Sequence, residues 1–301
     1  MSRCVGAGWL RAFQIPIRVL QADLMFVWFA SVYGAVAVLA AALMGKKSIL
    51  IIAGVDVADE PQLGYGLWRS WWKSKVVALA LRQADQVLAV DESLRSEVMQ
   101  RARYAGGNIE VVPTGYDAGF WKPDAHKERL VLTVAVVSGR PRFLVKGIDL
   151  LFSAARALPR EQFVLIGVDE QLAAQLGKPT NVRIIPFAHS TELRSWYQRA
   201  KVFCLPSRRE GLSNSLCEAM LCGCTPVATR VGGNGAAIEN TGYVISPDRQ
   251  HKLPTAIEAA LNHVPDVNTA ARERISTLFP QSRRHERLHQ IVDTLLNVPS
   301  V

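Results

Sequence analysis

The chain predicts an α/β fold of two Rossmann-like domains with parallel sheets facing across a cleft, and three observations carry that expectation. Short apolar runs alternate with helical stretches through most of the sequence, the pattern of buried strands joined by crossover helices. The alternation breaks at a Pro- and Gly-punctuated stretch, residues 111–123 (VVPTGYDAGFWKP), and restarts beyond it. At 301 residues, 49% hydrophobic and 20% charged, the chain has material for two ordinary cores. The domains are accordingly placed at residues 1–122 and 123–281, with 282–301 as a last amphipathic helix, and ligands are expected at the carboxyl ends of the strands.

In the first half, Asp23 to Ala30 is β-rich, Ser31 is a helix cap, Val32 to Met44 is an alanine-rich helix ending at Gly45, and Ser48 to Gly54 is a strand. Leu24 to Gly45 carries no charge and is long enough to cross a bilayer, but the strand-like start, the cap and the closing glycine favour a strand, buried helix, strand unit. Leu67 to Ala84 reads as helix, Gln86 to Val90 as strand, Ser93 to Tyr104 as helix and Ile109 to Pro113 as strand. Trp68, Trp71 and Trp72 with Arg69, Lys73 and Lys75 make an aromatic, basic segment that suits a membrane surface. Trp68, Trp72, Val76 and Leu79 share one helical face, so core packing is the expected use.

The second half restarts with strand Leu130 to Val137, a polar turn, helix Ile148 to Leu158, strand Gln162 to Gly167, helix Glu170 to Leu176, strand Val182 to Phe187 and helix Thr191 to Arg199. Then comes the densest chemistry, residues 205–248. Strand Lys201 to Leu205 stops at Pro206, a polar loop follows to Asn214, and helix Ser215 to Cys222 closes at Gly223. A helix N-terminus offers unpaired amides and partial positive charge, so Gly211, Leu212, Ser213 and Asn214 form a natural seat for phosphate or sugar oxygens. Glu210 and Glu218 flank that seat and suit hydroxyl groups. Glu218 also fits an S-x-x-E capping box with Ser215, a purely structural alternative. Beyond the signature, Tyr243 to Ser246 is strand-like and Leu253 to Asn262, Thr269 to Leu278 and Ser282 to Leu296 are helical.

A formal charge of +9 suits an acidic ligand or an anionic membrane surface. No basic run with interleaved aromatics at RNA-binding spacing occurs, so nucleic acid is not an expected partner. The five cysteines, Cys4, Cys204, Cys217, Cys222 and Cys224, are odd in number and match no zinc spacing; buried small residues are expected, with no metal. The first residues, MSRCVGAGWLRAFQ, lack an export signal, and a cytoplasmic protein is expected.

Pro-Ser, E-G-x-x-x-x-x-x-E-A-M, C-G-x-x-P-V-A-T and Gly-Gly, in that order, resemble the donor-site signature of the retaining glycosyltransferases of family 4, also called group 1. The resemblance covers about residues 22–298 and implies the GT-B fold, with the C-terminal helix returning to the first domain. It implies a cytoplasmic, metal-independent enzyme that needs no cofactor and moves a sugar from a UDP or GDP donor to an acceptor, with nucleotide-sugar binding without turnover as the alternative. Glu210 matches the residue on the donor sugar and Glu218 the residue on the nucleotide ribose, with the amides of Gly211 to Asn214 on sugar and phosphate. Lys146-Gly147 and a preceding Arg, for which Arg142 is favoured over Arg140, match the pair on the donor diphosphate. Phe187 and Ala188 match a backbone contact to the base. The family's first glycine-rich loop and its acceptor-side histidine have no counterpart here; Asp56 occupies comparable territory, though a turn role suits it as well. The first domain is therefore expected to be shortened, with a membrane surface or partner protein completing the acceptor side. The sequence does not identify the acceptor; a glycan or a lipid-linked group is the expectation.

Overall fold

A computed structural model describes residues 15, 17–124, 126–265 and 267–297. The chain forms two compact units, residues 1–113 with 284–301, and residues 114–283. In the first unit, β1 (Leu24–Trp28), α1 (Val32–Leu43), β2 (Lys47–Ile52), α2 (Trp71–Gln83), β3 (Gln86–Ala89), α3 (Glu92–Ala102) and β4 (Ile109–Val111) alternate. The strands form one parallel sheet in the order β1-β2-β3-β4. Ser31 caps α1 by accepting the Gly34 amide at 3.1 Å, and Ile49 to Ile52 and Val87 to Ala89 are buried. The uncharged stretch is thus strand and helix, and no helix among the described residues is long and apolar enough to cross a membrane.

One helix of this unit departs from expectation. Leu67–Arg69 is a separate 3-10 turn and α2 begins only at Trp71. The Trp68 indole N–H donates to the Asp56 carbonyl at 2.9 Å, holding that turn against the loop after β2. The helix then buries Val77, Ala80 and Leu81, and Trp72 and Leu79, expected in the core, stand outside at 45% and 46% exposure.

In the second unit, β5 (Glu128–Val137), α4 (Arg140–Val145), α5 (Ile148–Ala157), β6 (Gln162–Val168), α6 (Glu170–Gln175), β7 (Val182–Ile185), α7 (Ser190–Arg199) and β8 (Ala200–Leu205) lead into the signature region. There follow α8 (Asn214–Leu221), β9 (Thr225–Thr229), α9 (Asn234–Ile238), β10 (Tyr243–Ile245), α10 (Leu253–Leu261), α11 (Thr269–Leu278) and α12 (Gln281–Leu296), the last running from this unit into the first. The parallel sheet has the order β10-β9-β8-β5-β6-β7. That is the doubly wound arrangement, in which the order reverses between β5 and β8 and leaves a crevice at their carboxyl ends. One core cluster, including Phe143, Leu151, Phe152, Phe163, Leu165 and Ile257, packs helices onto the sheet.

The division between the two compact units falls after Pro113, whereas the expected domains meet at residues 122 and 123, and the crossing segment is tied into the second unit. Tyr116 exchanges backbone hydrogen bonds with Phe279 and Gln281, and the Arg272 guanidinium donates to the Ala118, Trp121 and Leu221 carbonyls. In the first unit, the buried Arg284 of α12 donates to the Val112 and Pro113 carbonyls.

Candidate functional site

The site is assembled at the crevice between β5 and β8. After β5 the expected polar turn is the short helix α4, closed by Lys146 and by Gly147 at φ +64°. After β8 the chain turns through Pro206 to Ser213 into α8. The two loops are locked together. The Arg208 amide donates to the Val145 carbonyl at 2.7 Å, and the Arg208 guanidinium grips Asp149 through two bonds of 2.7 and 2.6 Å. Gly147 lies against Pro206 so closely that a Cβ would stand 1.9 Å from the Pro206 carbonyl oxygen, which only glycine permits.

This lock brings Lys146 Nζ to 2.6 Å from Glu210 Oε1, and the Ser207 hydroxyl donates to the same oxygen at 2.7 Å. The side chain of Glu210 is 10% exposed, so its charge is compensated by the ammonium where water is scarce. The Gly232-Gly233 turn closes over the backbone here. Gly233 N–H donates to the Gly211 carbonyl at 2.9 Å, and at Gly232, φ +52°, a Cβ would meet the carbonyl oxygens of Glu210 and Gly211 at 2.4 and 2.5 Å.

Helix α8 begins at Asn214 with Ser213 at its cap, and Ser213 makes no side-chain cap bond. The capping-box alternative for Glu218 is therefore wrong. The Ser215 hydroxyl donates instead to the Val134 carbonyl at 3.3 Å, and Glu218 Oε2 accepts the Tyr197 phenol at 3.2 Å. Burial pushes the Glu218 carboxyl up to about 7, against the lowering effect of the Tyr197 bond. Gly211, Leu212 and Ser213 are buried and Asn214 is exposed, its side chain accepting the Tyr116 phenol at 3.0 Å.

Near the end of α8 lies a buried lysine. Lys127 Nζ donates to the Tyr197 and Cys222 carbonyls at 2.8 and 2.7 Å, near the C-terminal ends of α7 and α8, where helix dipoles favour a cation. Cys204, Cys217, Cys222 and Cys224 are all buried, and burial raises each thiol, that of Cys217 to about 12, so none is poised as a thiolate. No group of residues among those described gathers the ligands of a metal ion.

The other expected residues fall as follows. Arg142 is half-buried, one helical turn before Lys146, and its side chain makes no hydrogen bond or ion pair with the described residues; Arg140 is exposed. β7 ends at Ile185, so Phe187 lies in the loop beyond it, 67% exposed with its ring edge-on to His189, and Ala188 is buried. Asp56 follows β2 in the first unit. Its carboxylate is buried and accepts the Ala53 amide at 2.7 Å, which is the turn role. Sequence reasoning missed Tyr197, Lys127 and Arg208. Ser207 belongs to the Pro-Ser pair already singled out; Tyr197 and Lys127 carry no local pattern, because the fold brings Tyr197 to Glu218 and Lys127 to the end of α8 from distant parts of the chain.

Comparison with known proteins bears on the family and the fold. Residues 5–120 match the family model described as Glycosyltransferase Family 4 and residues 132–263 the model described as Glycosyl transferases group 1. A phosphatidylinositol N-acetylglucosaminyltransferase subunit of Arabidopsis thaliana is 22% identical over 292 residues, 87% of this chain and 64% of that protein. A D-inositol 3-phosphate glycosyltransferase of Streptosporangium roseum is 30% identical over 180 residues, 52% of this chain and 41% of that protein. The chain thus spans less than two thirds of the length of these curated relatives. Among solved structures, the sucrose-phosphate synthase of Thermosynechococcus elongatus superposes with a TM-score of 0.78 at 19% identity, over 99% of this chain and 82% of that one. HepE of Anabaena, in complex with UDP-glucose, gives 0.78 at 17% identity, over 94% of this chain and 82% of that one. On its two matching family models and its two parallel α/β sheets, the chain belongs to the family 4, or group 1, glycosyltransferases and has their GT-B fold.

Proposed function

We propose that this chain is a retaining, metal-independent glycosyltransferase that moves a sugar from a UDP- or GDP-linked donor to a hydroxyl of a glycan or lipid-linked acceptor, working in the cytoplasm at a membrane face. The observation that carries the reading is the Lys146, Ser207 and Glu210 cluster beside the amide end of α8, at the crevice where the strand order reverses. Such a place takes a nucleotide diphosphate: amides and a lysine for phosphate oxygens, carboxylates for hydroxyls. In this reading the α8 amides and Lys146 hold the diphosphate, with Arg142 turning toward it, Glu210 holds the sugar, Glu218 the ribose, and the backbone at Phe187 and Ala188 the base. As the bond from the anomeric carbon to the phosphate oxygen breaks, negative charge grows on the departing diphosphate. A cation already in place lowers that barrier without a divalent ion. The acceptor oxygen bonds the anomeric carbon on the face the diphosphate leaves, and its proton passes to that diphosphate. The names of the two curated relatives, one acting on a phosphatidylinositol and one on an inositol phosphate, support an inositol- or lipid-bearing acceptor.

The test is a screen of nucleotide sugars with mass detection of released nucleotide, repeated in EDTA, with the anomeric configuration of the product read by NMR. Release that survives EDTA with a retained anomer is expected. Activity lost in EDTA and restored by manganese, or an inverted anomer, overturns the corresponding part. Binding of UDP-glucose or GDP-mannose with no transfer to any acceptor would instead favour donor binding on behalf of a larger complex, a role compatible with the name of the Arabidopsis relative, which is one subunit of its transferase.

A further inference from the structure

The first unit carries chemistry that donor binding does not use. Along α2, Trp71, Lys75, Leu79 and Arg82 follow one another at helical spacing and are all exposed, opposite the buried Val77, Ala80 and Leu81. Trp71 is 71% exposed, an unusual position for the largest apolar side chain in a water-soluble surface. Helix α1 packs beside α2, has no charged residue, and presents Leu43 at 89% exposure and Tyr33 at 44%. Two lysines ride on the indoles, Lys75 Nζ 5.2 Å from the Trp71 ring and Lys73 Nζ 5.5 Å from that of Trp72.

The charge of this face has one sign. Residues 24–55 and 61–84 contain no Asp or Glu, while Lys46, Arg69, Lys73, Lys75 and Arg82 are all cations, and neither Lys73 nor Lys75 is in an ion pair with the described residues. Lys47 is the exception, paired with Asp85 at 2.9 Å. An apolar contact made by tryptophan and leucine, ringed by cations whose stems lie along the indoles, matches the layering of a lipid headgroup region: acyl boundary for the rings, anionic phosphates for the ammonium groups. A protein interface would match the apolar part alone, whereas acid-free sequence on both helices answers a surface that is anionic throughout. The tryptophans also lie at the start of α2, the end of the sheet where strands finish and where α/β folds present ligands.

We propose that the α1–α2 face of the first unit docks on an anionic lipid bilayer, with Trp71, Trp72, Leu79 and Leu43 entering the headgroup boundary and Lys73 and Lys75 meeting lipid phosphates. The proposal deepens the glycosyl-transfer reading, on which it rests only for the benefit of bringing the active site to a lipid-linked acceptor. Docking itself needs neither donor nor turnover.

The test is flotation of the purified full chain with vesicles of phosphatidylcholine alone and of phosphatidylcholine with phosphatidylglycerol, beside calorimetry of UDP-glucose and GDP-mannose without lipid. Strong flotation with the anionic vesicles, little with the neutral ones, and release in high salt are expected. Lys73→Glu with Lys75→Glu lowers the affinity for anionic vesicles by about tenfold or more. Trp71→Ser with Trp72→Ser does so too and leaves the residual binding fully salt-sensitive. Both pairs of changes keep wild-type donor affinity and melting temperature, which shows they fold. No flotation of the wild type, equal flotation with both kinds of vesicle, or flotation unchanged by either pair overturns the proposal. Flotation without donor binding would leave this inference standing and bring down the proposed function instead.

Discussion

The two units are built by the same rule, parallel strands joined by helices, yet they spend their polar residues differently at the strand carboxyl ends. In the second unit the loops after β5 and β8 are clamped by Arg208 on Asp149, and they gather Lys146, Ser207 and Glu210 within hydrogen-bond reach. In the first unit the corresponding acid, Asp56, is folded inward on the amide of Ala53, and the start of α2 beside it presents exposed Trp71 and Trp72 with Lys73 and Lys75 over their rings. Sheet order explains the contrast. The second sheet reverses direction between β5 and β8 and so leaves a crevice, whereas the described strands of the first run β1 to β4 without reversal. A preorganised polar site belongs to the second unit, and the proposed lipid-facing surface to the first.

The strongest way to break that comparison is to remove one lysine from each unit. With Lys146 in the proposed place beside the departing diphosphate, Lys146→Ala should cut turnover by about 100- to 1,000-fold, the usual scale for losing one preorganised charge-stabilising group. Because Lys146 is 28% exposed and its partner Glu210 keeps the Ser207 hydroxyl, the fold should survive. Lys73→Ala in the first unit should leave turnover on a soluble acceptor unchanged. Steady-state kinetics on both variants decide it, and comparable losses would mean that the first unit takes part in the chemistry.

Much of the second unit was legible because its chemistry is local in sequence. The Pro-Ser, Glu-Gly, Glu-Ala-Met and Gly-Gly run lies within one strand, loop, helix and strand, and glycines at Gly147 and Gly232 announce close backbone approach. What escaped reading is whatever the sheet brings together from afar. Tyr197 and Lys127 reach Glu218 and its helix only because β5 and β8 are neighbours, and the crossing segment joined the second unit through Arg272. The first unit was misread at a smaller scale. The periodicity of residues 67–84 is helical throughout, but one indole hydrogen bond, Trp68 to Asp56, delays the helix and changes which face is buried.

A backbone substitution sharpens the same contrast with a smaller effect. Gly147→Ala places a methyl group 1.9 Å from the Pro206 carbonyl oxygen at φ +64°, so the two clamped loops must part. A destabilisation of about 1–3 kcal/mol is expected from the overpacking, with a loss of donor affinity larger than the fall in stability alone explains. Gly45→Ala in the first unit shares the φ of +64° but has nothing within 4 Å of the added carbon, so it should cost about 1 kcal/mol of backbone strain and leave donor affinity unchanged. Denaturant melts and calorimetry on the pair separate the two effects; equal stability losses would show that the contact with Pro206 relaxes freely.

The smallest effect is the most specific. Burial lifts the Glu218 carboxyl from an ordinary 4.5 to about 7, and the Tyr197 phenol, donating at 3.2 Å, works in the other direction. With the folded-state value raised, the stability Glu218 contributes is complete below 4.5 and is lost as pH rises through about 7. Binding runs the opposite way, because ribose hydroxyls donate best to the ionised group. Affinity for UDP-glucose, whose diphosphate has no proton to lose near neutrality, should therefore improve about tenfold between pH 6 and pH 8 and level off above. Glu218→Gln should flatten the profile. Tyr197→Phe removes the one hydrogen bond that favours ionisation, worth about 0.5–1.5 kcal/mol and so up to about one pH unit. Its profile should keep the same shape but move upward in pH, with affinity about two- to fivefold weaker at pH 7 and equal to wild type near pH 9. A uniform loss at every pH would instead mean that Tyr197 only packs the helix, and a wild-type profile that is flat from the start would mean that Glu218 does not hold the ribose.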